Sequence, residues 1–151
     1  MKTVYIDMDN VIVDFESGIK RLAPQLQIEY QDNYDEAPGI FALMDPVPGA
    51  IEAVHLLSRS FDLYVLSTAP WLNPTAWKDK LEWIQKYFGK DPHSVLYKRL
   101  IISHHKNLNA GDFLIDDRTK NGVDRFCGTH IHFGTEAFSD WSRVIRFLSG
   151  S

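Results

Sequence analysis

A net charge of −4 over 151 residues argues against a nucleic-acid polymer as partner, because surfaces that bind one are usually basic. The length suits one domain, and 44% hydrophobic with 24% charged residues is the balance of a soluble globular chain. The lone cysteine, Cys127, reads as structural, excludes an intrachain disulfide framework and suits a reducing cytoplasm.

The chain reaches Asp7 too soon to hold a signal-peptide core, and no apolar run is long enough to cross a membrane. Val4-Tyr5-Ile6 is a short β-branched and aromatic run, a strand candidate that stops at two carboxylates, Asp7 and Asp9. Alternation along a strand sends both to one side. Paired carboxylates repel, and a hard cation such as Mg²⁺ relieves the repulsion with oxygen ligands of this kind. Helix capping by Asp is the competing reading, and the pair alone leaves the two even.

Val13 to about Ile28 has helical spacing in Val13, Ile19, Leu22 and Leu26, with a bend or restart predicted at Pro24. From Glu29 to Pro48 the periodicity weakens among acids, amides, prolines and aromatics, as in an inserted lobe or lid. Pro48-Gly49 opens a helix. Phe61 to Leu66 reads as a strand buried on both faces, ending in Ser67-Thr68-Ala69-Pro70-Trp71. Asn73 is a candidate cap for the next helix, with Pro74 in its first turn and Trp77, Leu81, Ile84 and Phe88 as its predicted buried stripe. Further strands are predicted at Leu100–Ile102, Phe113–Ile115 and Ile131–Phe133. A last helix is predicted from about Glu136 to Leu148, with Phe138, Trp141, Ile145 and Leu148 on one face.

Short apolar strands alternating with amphipathic helices imply βαβ units and a mainly parallel α/β sheet. Ligand sites of such sheets lie beyond the carboxyl ends of the strands. Four strands end in Asp7/Asp9, Ser67/Thr68, Ser103 to Lys106 and Asp116/Asp117, so these groups meet at one edge. Carboxylates without cysteines favour Mg²⁺ over zinc. Lys106 can act as a point charge for phosphate, and Ser67 can donate to a phosphoryl oxygen. The set reads as a Mg²⁺-dependent phosphoryl-transfer site, in which a carboxylate nucleophile is an established route. His104-His105 and His130-x-His132 lack zinc-site spacing and read as surface or hydrogen-bonded histidines.

Asp7-x-Asp9, Ser67 after a strand, Lys106 and Asp116-Asp117, in that order, resemble the four motifs of the haloacid dehalogenase (HAD) superfamily. DMDNVIVDF and LIDDR are most similar to the 5′(3′)-deoxyribonucleotidase family, whose members carry a DMDG-V-x-x-D-F opening and an I-D-D-R strand end. Asn10 stands where Gly is common, and Asn tolerates the left-handed backbone such a loop needs.

The resemblance implies a single three-layer Rossmann-like domain over 1–151, with a small helical cap inserted after the first strand at roughly 17–48. It implies Asp7 as nucleophile and Asp9 as the acid that protonates the leaving oxygen and then activates water. It implies Mg²⁺ on Asp7, the Asp9 carbonyl and the acidic pair, with Asp116 or Asp117 as third ligand. Ser67 would hold the phosphoryl group, Lys106 would neutralise its charge, and Thr68 would be a lesser contact. Phe15 matches the aromatic position near the base and Arg118 the I-D-D-R arginine. Phe41 and Trp71 are further candidates for base contact, each weighed against core packing or anchoring.

The function this implies is hydrolysis of nucleoside monophosphates, of pyrimidine deoxynucleotides in particular. Two alternatives use the same groups. One is another small phosphomonoester, such as a sugar phosphate. The other is a non-catalytic phospho-aspartate switch, against which the acidic pair here comes last in the chain. A homo-oligomer is neither required nor excluded.

Overall fold

The computed structural model describes all residues from Met1 to Ser151. In chain order its strands are β1 (Thr3–Ile6), β2 (Val13–Asp14), β3 (Asp45–Pro46), β4 (Asp62–Ser67), β5 (Leu100–Ile102), β6 (Phe113–Asp116) and β7 (Thr129–His132). The α-helices are α1 (Phe15–Arg21), α2 (Pro24–Glu29), α3 (Ala50–Leu57), α4 (Pro74–Phe88) and α5 (Trp141–Ser149). Five strands form one parallel sheet in the order β5-β4-β1-β6-β7. The parallel α/β architecture expected from the alternating pattern is present.

Side-chain alternation splits the sheet into two faces. Val4, Ile6, Leu63, Val65, Phe113, Ile115 and Ile131 join one large core with the inner faces of α3, α4 and α5. Tyr5, Leu66 and Leu114 face the other way, onto Val123 and Phe126. That second face is covered by short turns and not by long helices, so the third layer is thin.

Several boundaries differ from the sequence reading. The predicted helix from Val13 is two helices, and Pro24 starts the second. Val13 and Asp14 instead pair antiparallel with Pro46 and Asp45. This ribbon brings the two ends of residues 15–44 together. The last helix begins at Trp141, where the Asp140 carboxylate accepts from the Arg143 amide; Phe138 belongs to the turn before it. The last sheet strand starts at Thr129, two residues before the predicted Ile131. Cys127 is exposed, so it carries no core role.

The larger correction concerns α4. Its buried face is Ala76, Asp79, Lys80, Trp83, Ile84 and Phe88, whereas Trp77 and Leu81 are 38% and 46% exposed. Ile84 and Phe88 of the predicted stripe lie on this face, whereas Trp77 and Leu81 are rotated off it, because the face contains two charged residues. Asn73 does not cap the helix with its side chain. Its amide instead donates to the Asp35 and Ala37 carbonyls at 2.9 and 3.1 Å. Thr75 Oγ1 accepts from the Gly39 amide, and Trp83 Nε1 donates to the Met44 carbonyl. Residues 35–44 are therefore fastened to α4 by three side chains. No helix is long and apolar enough to cross a membrane.

Candidate active site

Parallel pairing brings the ends of β1, β4, β5 and β6 to one edge. β1 stops at Ile6, and the Asp7 amide still donates to the Ile115 carbonyl, fixing Asp7 beside the end of β6. The chain then turns sharply: the Met8 carbonyl accepts from the amides of Val11, Ile12 and Val13. Asn10 takes the left-handed conformation at φ 62°, as expected where the family carries Gly. The turn breaks the strand alternation, so Asp7 and Asp9 bond to different partners.

Lys106 is buried at the start of a turn after β5 and donates to Asp7 Oδ1 at 2.9 Å and Asp116 Oδ2 at 2.6 Å. Burial pulls its pKa down, but Asp7 and Asp116 together outweigh that and hold it above the ordinary lysine value. Lys80, wholly buried on α4, donates to Asp9 Oδ2 at 3.1 Å and Ser67 Oγ at 2.9 Å. Its ammonium lies 4.5 Å from the centre of the Phe41 ring. Burial raises the Asp9 pKa, Lys80 opposes the rise, and Asp7 adds to it. Each lysine thus serves one of the first two carboxylates.

Asp7, Asp116 and Asp117 offer carboxylate oxygens that all lie within 4.8 Å of one another. Both Asp116 oxygens are engaged, one by Lys106 and one by the Arg118 amide. Asp117 Oδ1 is buried without a partner, so Asp117 has the free ligand atom. An all-oxygen donor set with an orphaned buried carboxylate oxygen fits a hard divalent cation. The Asp9 carboxylate stands outside this set.

Burial, then Asp7 and Asp116, push the Asp117 pKa up to about 7. The folded state therefore favours protonated Asp117. The stability this confers is complete below the ordinary carboxylate range and is lost as pH rises through about 7. A cation bound at this cluster would take over that role from the proton. The gain in melting temperature on adding Mg²⁺ to chelated protein is expected to be larger at about pH 8 than at about pH 5, as thermal melts would show. Equal gains at both would contradict the assignment.

Above the carboxylates opens a cleft of about 510 Å³. Phe15, Thr68, Trp71 and Arg118 all line it, with His104 and the loop Asp32 to Asp35. Trp71 is 79% exposed at the mouth and packs edge-on against His104. Arg118 is exposed and forms no ion pair. Thr68 Oγ1 already donates to the Ser103 carbonyl. Phe41 is the candidate that does not line the cleft: it is 2% exposed, behind Phe15 and against Lys80. A second cleft of about 440 Å³ beside α4 has no acidic residue in its lining.

Residues 22–147 match the family described as 5′ nucleotidase, deoxy (pyrimidine), cytosolic type C protein. A Vibrio phage KVP40 protein with the provisional name 5′(3′)-deoxyribonucleotidase is 57% identical over 97% of this chain and 84% of its own. This chain belongs to the 5′(3′)-deoxyribonucleotidase family. The human 5′(3′)-deoxyribonucleotidase, cytosolic type, is 30% identical over 76% of this chain and 70% of its own. In fold, the chain is similar to YfnB of Bacillus subtilis, a provisionally assigned HAD hydrolase solved bound to magnesium. The TM-score is 0.61 at 10% identity, over 97% of this chain and 98% of that one. Membership of this family makes the chain a phosphomonoester hydrolase.

Lys80, which bonds Asp9 and Ser67 in this deoxyribonucleotidase-family chain, is absent from the sequence candidates. Its signal was there: Ala76, Lys80, Ile84 and Phe88 follow each other at four-residue steps, one helix face with a lysine in its middle. His130 and His132, expected to be hydrogen-bonded or surface histidines, are hydrogen-bonded. They bond to the carbonyls of the acidic pair, which only the register of β7 beside β6 reveals.

Proposed function

We propose that this chain hydrolyses pyrimidine deoxynucleoside monophosphates with Mg²⁺ and an aspartyl-phosphate intermediate on Asp7. The observation that carries the reading is the division of labour between the two lysines. Lys106 holds Asp7 beside the acidic cluster, while Lys80 holds Asp9 and Ser67 apart from it.

An Asp7 oxygen attacks phosphorus as the ester bond to the nucleoside oxygen breaks. Asp9, whose pKa is raised by burial, gives its proton to that leaving oxygen. The Asp9 carboxylate then takes a proton from water, which attacks the same phosphorus and breaks its bond to Asp7. Inorganic phosphate leaves, with Asp7 again a free carboxylate and Asp9 again protonated. Ser67 is buried and accepts from Lys80, which leaves its own hydroxyl hydrogen for a phosphoryl oxygen. Lys106 offsets the charge on Asp7 and the phosphoryl group. Mg²⁺ on Asp7 and Asp117, with Asp116 and the Asp9 carbonyl beside them, would neutralise phosphoryl charge and orient the group for attack.

The cap at about 17–48 shields this reaction from water, and Phe15 and Trp71 offer aromatic faces to the base. Arg118 supplies an unpaired guanidinium at the rim. Because residues 35–44 are fastened to α4, closure falls to the loop at Asp32–Tyr34 and not to a swinging domain. Phosphate release from nucleoside monophosphates and sugar phosphates, with Mg²⁺ and with chelator, tests the reading. Chelator-sensitive turnover is expected to be strongest on dUMP or dTMP. Turnover confined to sugar phosphates would discard the base assignment, and turnover insensitive to chelator would discard the cation.

A further inference from the structure

β7 lies at the edge of the sheet, and its register sets His132 opposite Asp116 and His130 opposite Leu114. Residues two apart on a strand share a face. Ile131 between them enters the large core, so both imidazoles stand on the thinly covered face. Their rings stack with centroids 4.9 Å apart and planes 25° apart. His130 Nε2 is 2.9 Å from the Asp116 carbonyl oxygen, and His132 Nε2 is 3.0 Å from that of Asp117. A carbonyl oxygen only accepts, so both Nε2 atoms carry hydrogen. The Asp116 carbonyl also accepts from the Phe133 amide at 3.1 Å, the last rung of the ladder.

Beyond that rung the chain carries two adjacent carboxylates facing a third, Asp7. When these carboxylates are all ionised, like charges this close push the turn open, and Asp117 Oδ1 has no partner to resist the push. Asp116 is restrained through its carboxylate by Lys106 and Arg118, whereas the main chain of Asp117 is restrained by His132. We propose that His130 and His132 are positioning residues: they clamp the main chain of Asp116 and Asp117 against repulsion within the carboxylate cluster and so set its cation affinity. They touch neither substrate nor reacting atoms. The inference rests on the cation reading given under Proposed function.

The test is calorimetric titration of the full chain with Mg²⁺ alone, without nucleotide, so that affinity is read apart from turnover. His132→Gln keeps an N–H donor near the Nε2 position, whereas His132→Asn draws it back; both remain polar and small enough to fold. His132→Asn is expected to weaken Mg²⁺ binding by roughly tenfold or more, and His132→Gln to recover most of the loss. The same pair at position 130 is expected to show a smaller loss, because the Phe133 amide still holds the Asp116 carbonyl. Turnover of His132→Asn should approach the unsubstituted rate at saturating Mg²⁺, which a general structural defect would not allow. Mg²⁺ affinity within about twofold of the unsubstituted chain in His132→Asn would overturn the clamp and leave the cation reading intact. Failure of the unsubstituted chain to bind Mg²⁺ would overturn both.

Discussion

Asp7→Asn is expected to lower turnover by roughly ten-thousandfold or more, since losing a nucleophile removes the covalent route and leaves only binding and electrostatic help. Asn matches Asp in volume and can still accept from Lys106, so the fold should survive. Stability should in fact rise. The substitution removes one of three carboxylates held within 4.8 Å, and with it a charge that raises the pKa values of Asp9, Asp116 and Asp117. A variant that is inactive and melts higher than the unsubstituted protein in chelator identifies a site whose function costs stability. An inactive variant that melts lower would point to a structural role for Asp7, and unchanged turnover would remove it from the reaction altogether.

Lys80→Met is expected to reduce turnover by about a hundred- to a thousandfold, the range for deleting one preorganised donor from a reaction centre. Met approximates the stem of Lys80 and keeps the packing against Phe41, but it donates nothing to Asp9 or Ser67. Lys80 lowers an Asp9 pKa that burial has raised, so removing it lets that pKa climb further. Asp9 then stays protonated to higher pH, which favours the first proton transfer and impedes activation of water in the second. The pH–rate profile should shift to higher pH, and phosphorylated enzyme should accumulate during turnover. A loss of rate with the profile unmoved would mean that Lys80 acts on Ser67 or the phosphoryl group and not through Asp9.

The sheet and the gathering of polar side chains at one of its edges were legible because both follow from local pattern. Apolar runs of three to six residues mark the strands, and in a parallel sheet their carboxyl ends must gather. Asp7, Ser67, Lys106 and Asp116 each stand at or just past such an end. Lys80 was hidden for the opposite reason. It sits mid-helix, far in sequence from its partners, and the aromatic weight of Trp77 drew the inferred inner face away from it. Phe41 read as a base contact because a sequence shows an aromatic in a cap without showing that its ring faces inward. Asn73 read as a helix cap because Asn usually is one; its bonds to Asp35 and Ala37 span more than thirty residues. The histidines of β7 depend on strand order, which no residue of β7 encodes by itself.

The proposed reaction runs through a phosphate carried by Asp7. Turnover of radiolabelled dUMP, quenched in acid at millisecond intervals and mapped by peptide, measures this directly. Label is expected on the single peptide containing Asp7, labile to hydroxylamine as an acyl phosphate is, at higher occupancy in Lys80→Met and absent from Asp7→Asn. Label on any other side chain, or full turnover with no labelled peptide in either the unsubstituted protein or Lys80→Met, would contradict it.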